Sequence, residues 1–144
     1  MKKSSKPAFM PAPDYGRSLE GFTLNALSAD LARALVFQRD VLRAEVLHED
    51  EDLLILRGYG GSWMVHADHT YDQHPLLGDT LKQERRGAGI ELRLHGLDPD
   101  AAAERALAHG FAVLDGPRDQ PDHGLREAHI IDDDGYVWVP DVSI

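Results

Sequence analysis

Cysteine is absent from this sequence. Its absence excludes a disulfide scaffold and any zinc centre built on thiolates. It does not fix a compartment, because a chain without thiols is compatible with any redox environment. No stretch approaches the ~20 consecutive apolar residues that a membrane-spanning helix needs, and no apolar run follows the basic Lys2, Lys3 and Lys6. Positive charge is also scarce: 15 Lys and Arg stand against 25 Asp and Glu, for a formal net charge of −10. That balance opposes binding to phosphate backbones or anionic lipid. Nucleic acid and membrane are therefore not expected as partners, and neutral or cationic molecules are favoured. The expectation is a soluble, cytoplasmic protein.

What remains is 144 residues, 42% of them hydrophobic, enough for one domain with an ordinary core. Residues 1–20 carry Pro7, Pro11 and Pro13 among small and polar residues and read as an extended arm outside the core. From Gly21 the text becomes regular. FTLNALS alternates as a strand, and Ser28 or Asp30 caps a helix bearing Leu31, Leu35, Gln38 and Leu42 at helical spacing. AEVLH, LLILRGY and SWMVHAD then read as three strands, the last two joined at Gly60-Gly61.

A polar linker over 69–89 leads to the same order again. IELRLHG alternates, Asp98-Pro99 opens a helix over AAAERALAH, and Gly110 stands where a left-handed C-cap belongs. FAVLD, REAHIID and YVWVPDV complete a second set of strands. The chain thus reads as an internal duplication, with βαβββ modules over 21–68 and 90–144. Aligning Asp30 with Asp98 sets Thr23 opposite Glu91 and Asn25 opposite Arg93. Aligning Gly61 with Gly135 pairs Trp63 with Val137, whereas a shift of one residue pairs Trp63 with Trp138 and reverses the faces.

Two such modules, with SADLARALVFQRDVL as a first helix and IIDDDGYVWV as a closing hairpin, resemble the vicinal oxygen chelate superfamily. Its members include glyoxalase I, extradiol dioxygenases and bleomycin-resistance proteins. The resemblance covers 21–142 and implies an α+β fold in which two tandem modules form a cupped mixed sheet around a cavity. Metal-dependent members place one ligand on the first and one on the last strand of each module. The matching positions are Thr23, Val65, Glu91 and Val139, or, after the one-residue shift, His66 and Pro140 in place of the valines. Glu91 and His66 are then the only credible ligands, fewer than the three protein ligands of a usual catalytic zinc site. No metal cofactor is expected. His66, His69 and His74 lie close in sequence, but residues three apart on a strand face opposite sides, so they read as a strand end running into a surface loop.

The expected ligand-binding residues are Thr23, Asn25, Trp63, Glu91 and Arg93, with His66, His129 and Trp138 as further candidates. Glu91 and Arg93 form either an ion pair or a polar ligand contact, Trp63 and Trp138 either aromatic walls or core, and His129 pairs with Glu127. The character of these positions is nearest the bleomycin-resistance branch, which implies a homodimer that sequesters a small, cationic molecule without breaking a bond in it. The competing expectation is a metal-dependent lyase, isomerase or dioxygenase of the same superfamily. A ligand-free dimeric scaffold ranks third.

Overall fold

Asp30 accepts the Arg33 N–H at 3.1 Å and Asp98 accepts the Asp100 N–H at 3.0 Å, so each module's main helix starts at its aspartate cap. In the computed structural model, which describes all 144 residues, eight strands form two four-stranded sheets. The first holds β1 (Leu24–Ser28), β2 (Glu45–Glu49), β3 (Leu53–Gly58) and β4 (Gly61–Ala67) in the order β1-β4-β3-β2. The second holds β5 (Glu91–His95), β6 (Ala112–Gln120), β7 (Leu125–Ile131) and β8 (Val137–Ser143) in the equivalent order β5-β8-β7-β6. In each sheet the first strand pairs parallel with the last, and the other pairings are antiparallel. The duplication is therefore real at the level of topology.

Local signals act where the sequence places them. Tyr59 and Gly60 both have positive φ, which a two-residue hairpin between β3 and β4 requires. Four helices complete the chain: α1 (Ala12–Ser18), α2 (Leu31–Val36), α3 (Pro75–Thr80) and α4 (Pro99–Ala108). α2 continues into a π-turn over Phe37–Val41, and this wider turn puts Phe37, Gln38 and Val41 all inside. α4 ends at Gly110, with Phe111 N–H reaching back to the Ala106 carbonyl.

One core joins the two modules. Phe37 meets Phe111 edge to face with ring centroids 5.0 Å apart, Trp63 lies 5.9 Å from Trp138, and the Arg105 guanidinium donates to the Val41 carbonyl. The helix-bearing faces of both sheets thus share one interior, and their opposite faces are turned away from it. No helix is long and apolar enough to cross a membrane.

Two segments differ from the sequence reading. Residues 69–89 include α3 and part of a 3-10 turn (Asp68–Tyr71), because Pro75 at the first helical position and the His74 ring, which accepts the Leu76 N–H, start a helix there. The proline-rich arm is not extended throughout: Pro11 leads directly into α1, and the arm is tied down on the first sheet.

Candidate functional site

On β1 and β4, Leu24 stands beside Trp63 and Ala26 beside Val65, facing the helices, while Asn25 stands beside Met64 and Leu27 beside His66 on the other side. β3 extends that second face with Ile55 and Leu53, and β2 with His48. Over it lies the arm. Lys3 and Ser4 N–H groups donate to the Asp52 carboxylate at 2.7 and 2.9 Å, and Lys6 Nζ donates to the Glu49 carbonyl. Phe9 then packs against Tyr15 of α1 and near the His48 ring.

Between arm and sheet is a cavity of about 480 Å³, walled by Phe9, Met10, Leu19, Leu53, Ile55 and Met64, with His66 also lining it. The volume lies within the range of small-molecule sites. His66 packs its ring against Tyr71 at 5.3 Å, and its Nε2 is buried with no hydrogen-bond partner in the protein. Burial lowers its pKa, so the imidazole is neutral at pH 7.

The corresponding face of the second sheet is charged. Arg93 on β5 donates to Glu91 at 2.7 Å, to Asp141 on β8 at 3.1 Å, and to Glu127 on β7. Burial opposes the charge of Arg93, but Glu127 and Glu91 outweigh it and raise its pKa. His129 pairs with Glu91 at 3.2 Å and His95 with Asp141 at 2.9 Å. Hydrogen bonds first from Arg93 and then from His129 hold the Glu91 carboxyl below its usual range.

The sequence-predicted residues therefore divide among three places. Thr23 and Asn25 line a small crevice beside Tyr15 and Leu19, next to the arm-covered cavity. Glu91, Arg93 and His129 form the charged face of the other module, and the crevice lined by Thr23 does not include them. Trp63 and Trp138 are core: both are buried on the helix side, and Trp63 Nε1 donates to the buried Gln38 side chain at 2.9 Å. The aromatic-wall reading of these tryptophans is thus corrected by strand phase, since Leu24 stands beside Trp63 as Leu92 does beside Trp138. That phase makes His66 and Asp141 equivalents. Asp141 was missed, although an aspartate within the apolar run VWVPDV was a visible signal.

The side chains present do not fit a metal centre. The Arg93 guanidinium occupies the convergence of Glu91, Glu127 and Asp141, and no three His, Asp or Glu side chains are disposed to hold an ion. The three neighbouring histidines also diverge: His69 pairs with Asp52 and His74 caps α3.

No protein-family model matches the chain, and no curated protein matches it by sequence. Solved structures do. A glyoxalase-related enzyme from Fulvimarina pelagi superposes with a TM-score of 0.67 at 15% identity, over 87% of this chain and 89% of that one. A glyoxalase/bleomycin resistance protein/dioxygenase family enzyme from Burkholderia phytofirmans PsJN gives 0.68 at 16% identity, over 85% and 97%. The fosfomycin resistance protein FosX from Mesorhizobium loti gives 0.60 at 15% identity, over 88% and 94%. Together with the two pseudo-equivalent βαβββ modules, these likenesses establish that the chain has the fold shared by glyoxalase, bleomycin-resistance and dioxygenase proteins.

Proposed function

We propose that this protein binds and retains a small organic molecule in the cavity between the N-terminal arm and the first sheet, using no metal and breaking no bond in its ligand. The observation that carries the reading is the cavity itself: about 480 Å³, apolar in its walls, and roofed by a segment pinned through Asp52. Burying apolar ligand surface there supplies affinity, and the few polar groups orient it. The open face of the second module, with Glu91 and His95 exposed, favours action as a homodimer in which a second copy covers it. A metal-dependent reaction is disfavoured by Arg93, whose charge opposes a cation at the carboxylate cluster of the second module.

The test is a thermal-shift panel on chelator-stripped protein with nickel, zinc, manganese and iron in one arm. Metal-free bleomycin and neutral and cationic aromatic compounds form the other. Ligands that bind the native state raise Tm by mass action. Stabilisation by organic compounds and not by metals is expected; stabilisation by a metal alone, lost in Glu91→Gln, overturns the reading in favour of the enzyme.

A further inference from the structure

The roof of the arm-covered cavity is attached to its floor unequally along its length. Phe9, Met10 and Leu19 of the roof belong to the arm, and Leu53, Ile55 and Met64 of the floor belong to the sheet. Every hydrogen bond between the arm and the rest of the chain comes from residues 1–6, with Asp52 accepting the Lys3 and Ser4 N–H groups and the Glu49 carbonyl accepting Lys6 Nζ. Residues 7–20 form hydrogen bonds only among themselves. No residue of 1–20 is buried, so little apolar surface has to be exposed when the arm lifts. At its other end the arm enters β1 through Gly21, Phe22 and Thr23, all exposed. Gly21 has a φ of 67°, and nothing lies within 4 Å of where a Cβ would stand. Rotation there meets no neighbour. The arm is thus latched at one end, joined through an uncrowded glycine at the other, and lightly packed between.

We propose that the arm is a hinged lid, which pivots about Gly21 when the Lys3 and Ser4 N–H groups leave Asp52 and so opens the cavity floor to solvent. If the cavity holds a guest, as proposed above, this motion admits it.

Because the chain has no cysteine, one introduced thiol reports the opening in the full-length protein. Ile55 is 6% exposed and lines the cavity, whereas Val65, 4% exposed, stands on the helix side of its sheet. Ile55→Cys and Val65→Cys are each labelled with 5,5′-dithiobis(2-nitrobenzoic acid), with and without Asp52→Asn. Weakening the latch should speed labelling of Ile55→Cys by about tenfold and that of Val65→Cys by less than about twofold. No acceleration at Ile55→Cys overturns the lid, since something other than the arm then guards the floor. Equal acceleration at both sites overturns it too, since the substitution then acts through global unfolding. Should Asp52→Asn fail to fold, the two single-cysteine chains decide. Labelling of Ile55→Cys faster than that of Val65→Cys by more than about tenfold supports an opening cheaper than unfolding, and equal rates overturn it. Either failure leaves the binding reading to the thermal-shift panel. A panel without binders, beside the expected labelling, removes the binding reading and leaves the lid.

Discussion

The Tyr136 hydroxyl donates to the Leu27 carbonyl at 2.8 Å and accepts the Leu27 N–H at 3.2 Å, so one phenol satisfies both backbone groups on the outer edge of β1. β1 ends its sheet, and without this side chain that edge would be unpaired at the seam between modules. Asp134 from the same turn reinforces the clasp by accepting Ser28 Oγ and the Ala29 N–H. Burial pushes the Tyr136 hydroxyl up to about 12, which keeps it a donor across the working range. Tyr136→Phe removes the hydroxyl and preserves the ring, so we expect a loss of about 2 kcal/mol in urea unfolding with an unchanged m-value. A loss below about 0.5 kcal/mol would mean that water replaces both bonds.

The arm is held by a carboxylate, which makes its docking acid-sensitive. Burial would raise the Asp52 pKa, but hydrogen bonds from His69 and the Lys3 and Ser4 N–H groups outweigh it and hold the group at about 2. A folded-state pKa below the unfolded value of about 3.9 contributes stability that is present above pH ~4 and lost as pH falls through ~2. The expected outcome is release of residues 1–20 in that window, ahead of global unfolding. Amide exchange at Ser4, compared with exchange at Leu56 in the core, reads it directly.

Trp63→Ala should destabilise the fold by about 3–5 kcal/mol, since it empties a core position. It also leaves the Gln38 side chain without its indole donor. Because the ring lies on the opposite face of β4 from Met64 and His66, affinity in the arm-covered cavity should change far less than stability. A larger effect on binding than on folding would place Trp63 in the site after all.

How much of this was legible follows the range over which each signal acts. Asp30, Asp98-Pro99, Gly60 and Gly110 fix local backbone geometry, and each marks an element edge where the sequence puts it. Strand phase was harder. WMVHA has apolar residues on both faces, and Trp63 is two residues after Gly61 while Trp138 is three after Gly135, so aligning the glycines misplaces one strand by a residue. The arm was illegible for another reason: its anchor is a side chain nearly fifty residues away accepting backbone N–H groups, and no composition or period encodes that contact.

The acidic closing turn contains a second titrating group. Asp132 is largely buried and accepts the Trp138 indole N–H at 3.0 Å together with the Asp134, Gly135 and Tyr136 N–H groups. Desolvation dominates these bonds and raises its pKa to about 6. The sign is opposite to that of Asp52. A folded pKa above the unfolded value means that this group favours the native state most below pH ~4, and that its contribution declines as pH rises to ~6. The Trp138 indole proton should therefore titrate with a midpoint near 6 in NMR spectra. A midpoint near 4 would show that the four donors offset the burial.

Arg93 holds three carboxylates, two of them almost wholly buried, since the Glu127 and Asp141 side chains are 8% and 1% exposed. Removing one partner of a buried ionic cluster costs more than the cluster itself contributes, because the remaining charges are left uncompensated. Arg93→Met keeps much of the aliphatic stem and should lose about 3–5 kcal/mol at pH 7. The unpaired carboxyls would then bind protons more tightly in the native state than when unfolded, so the deficit should shrink as pH falls from 7 towards 5. Arg93→Lys should recover only part of the loss, since a single ammonium cannot fork among Glu91, Glu127 and Asp141 as the guanidinium does. Urea unfolding of both variants at the two pH values checks the argument. A deficit that stays constant with pH would mean that water reaches the cluster and screens it.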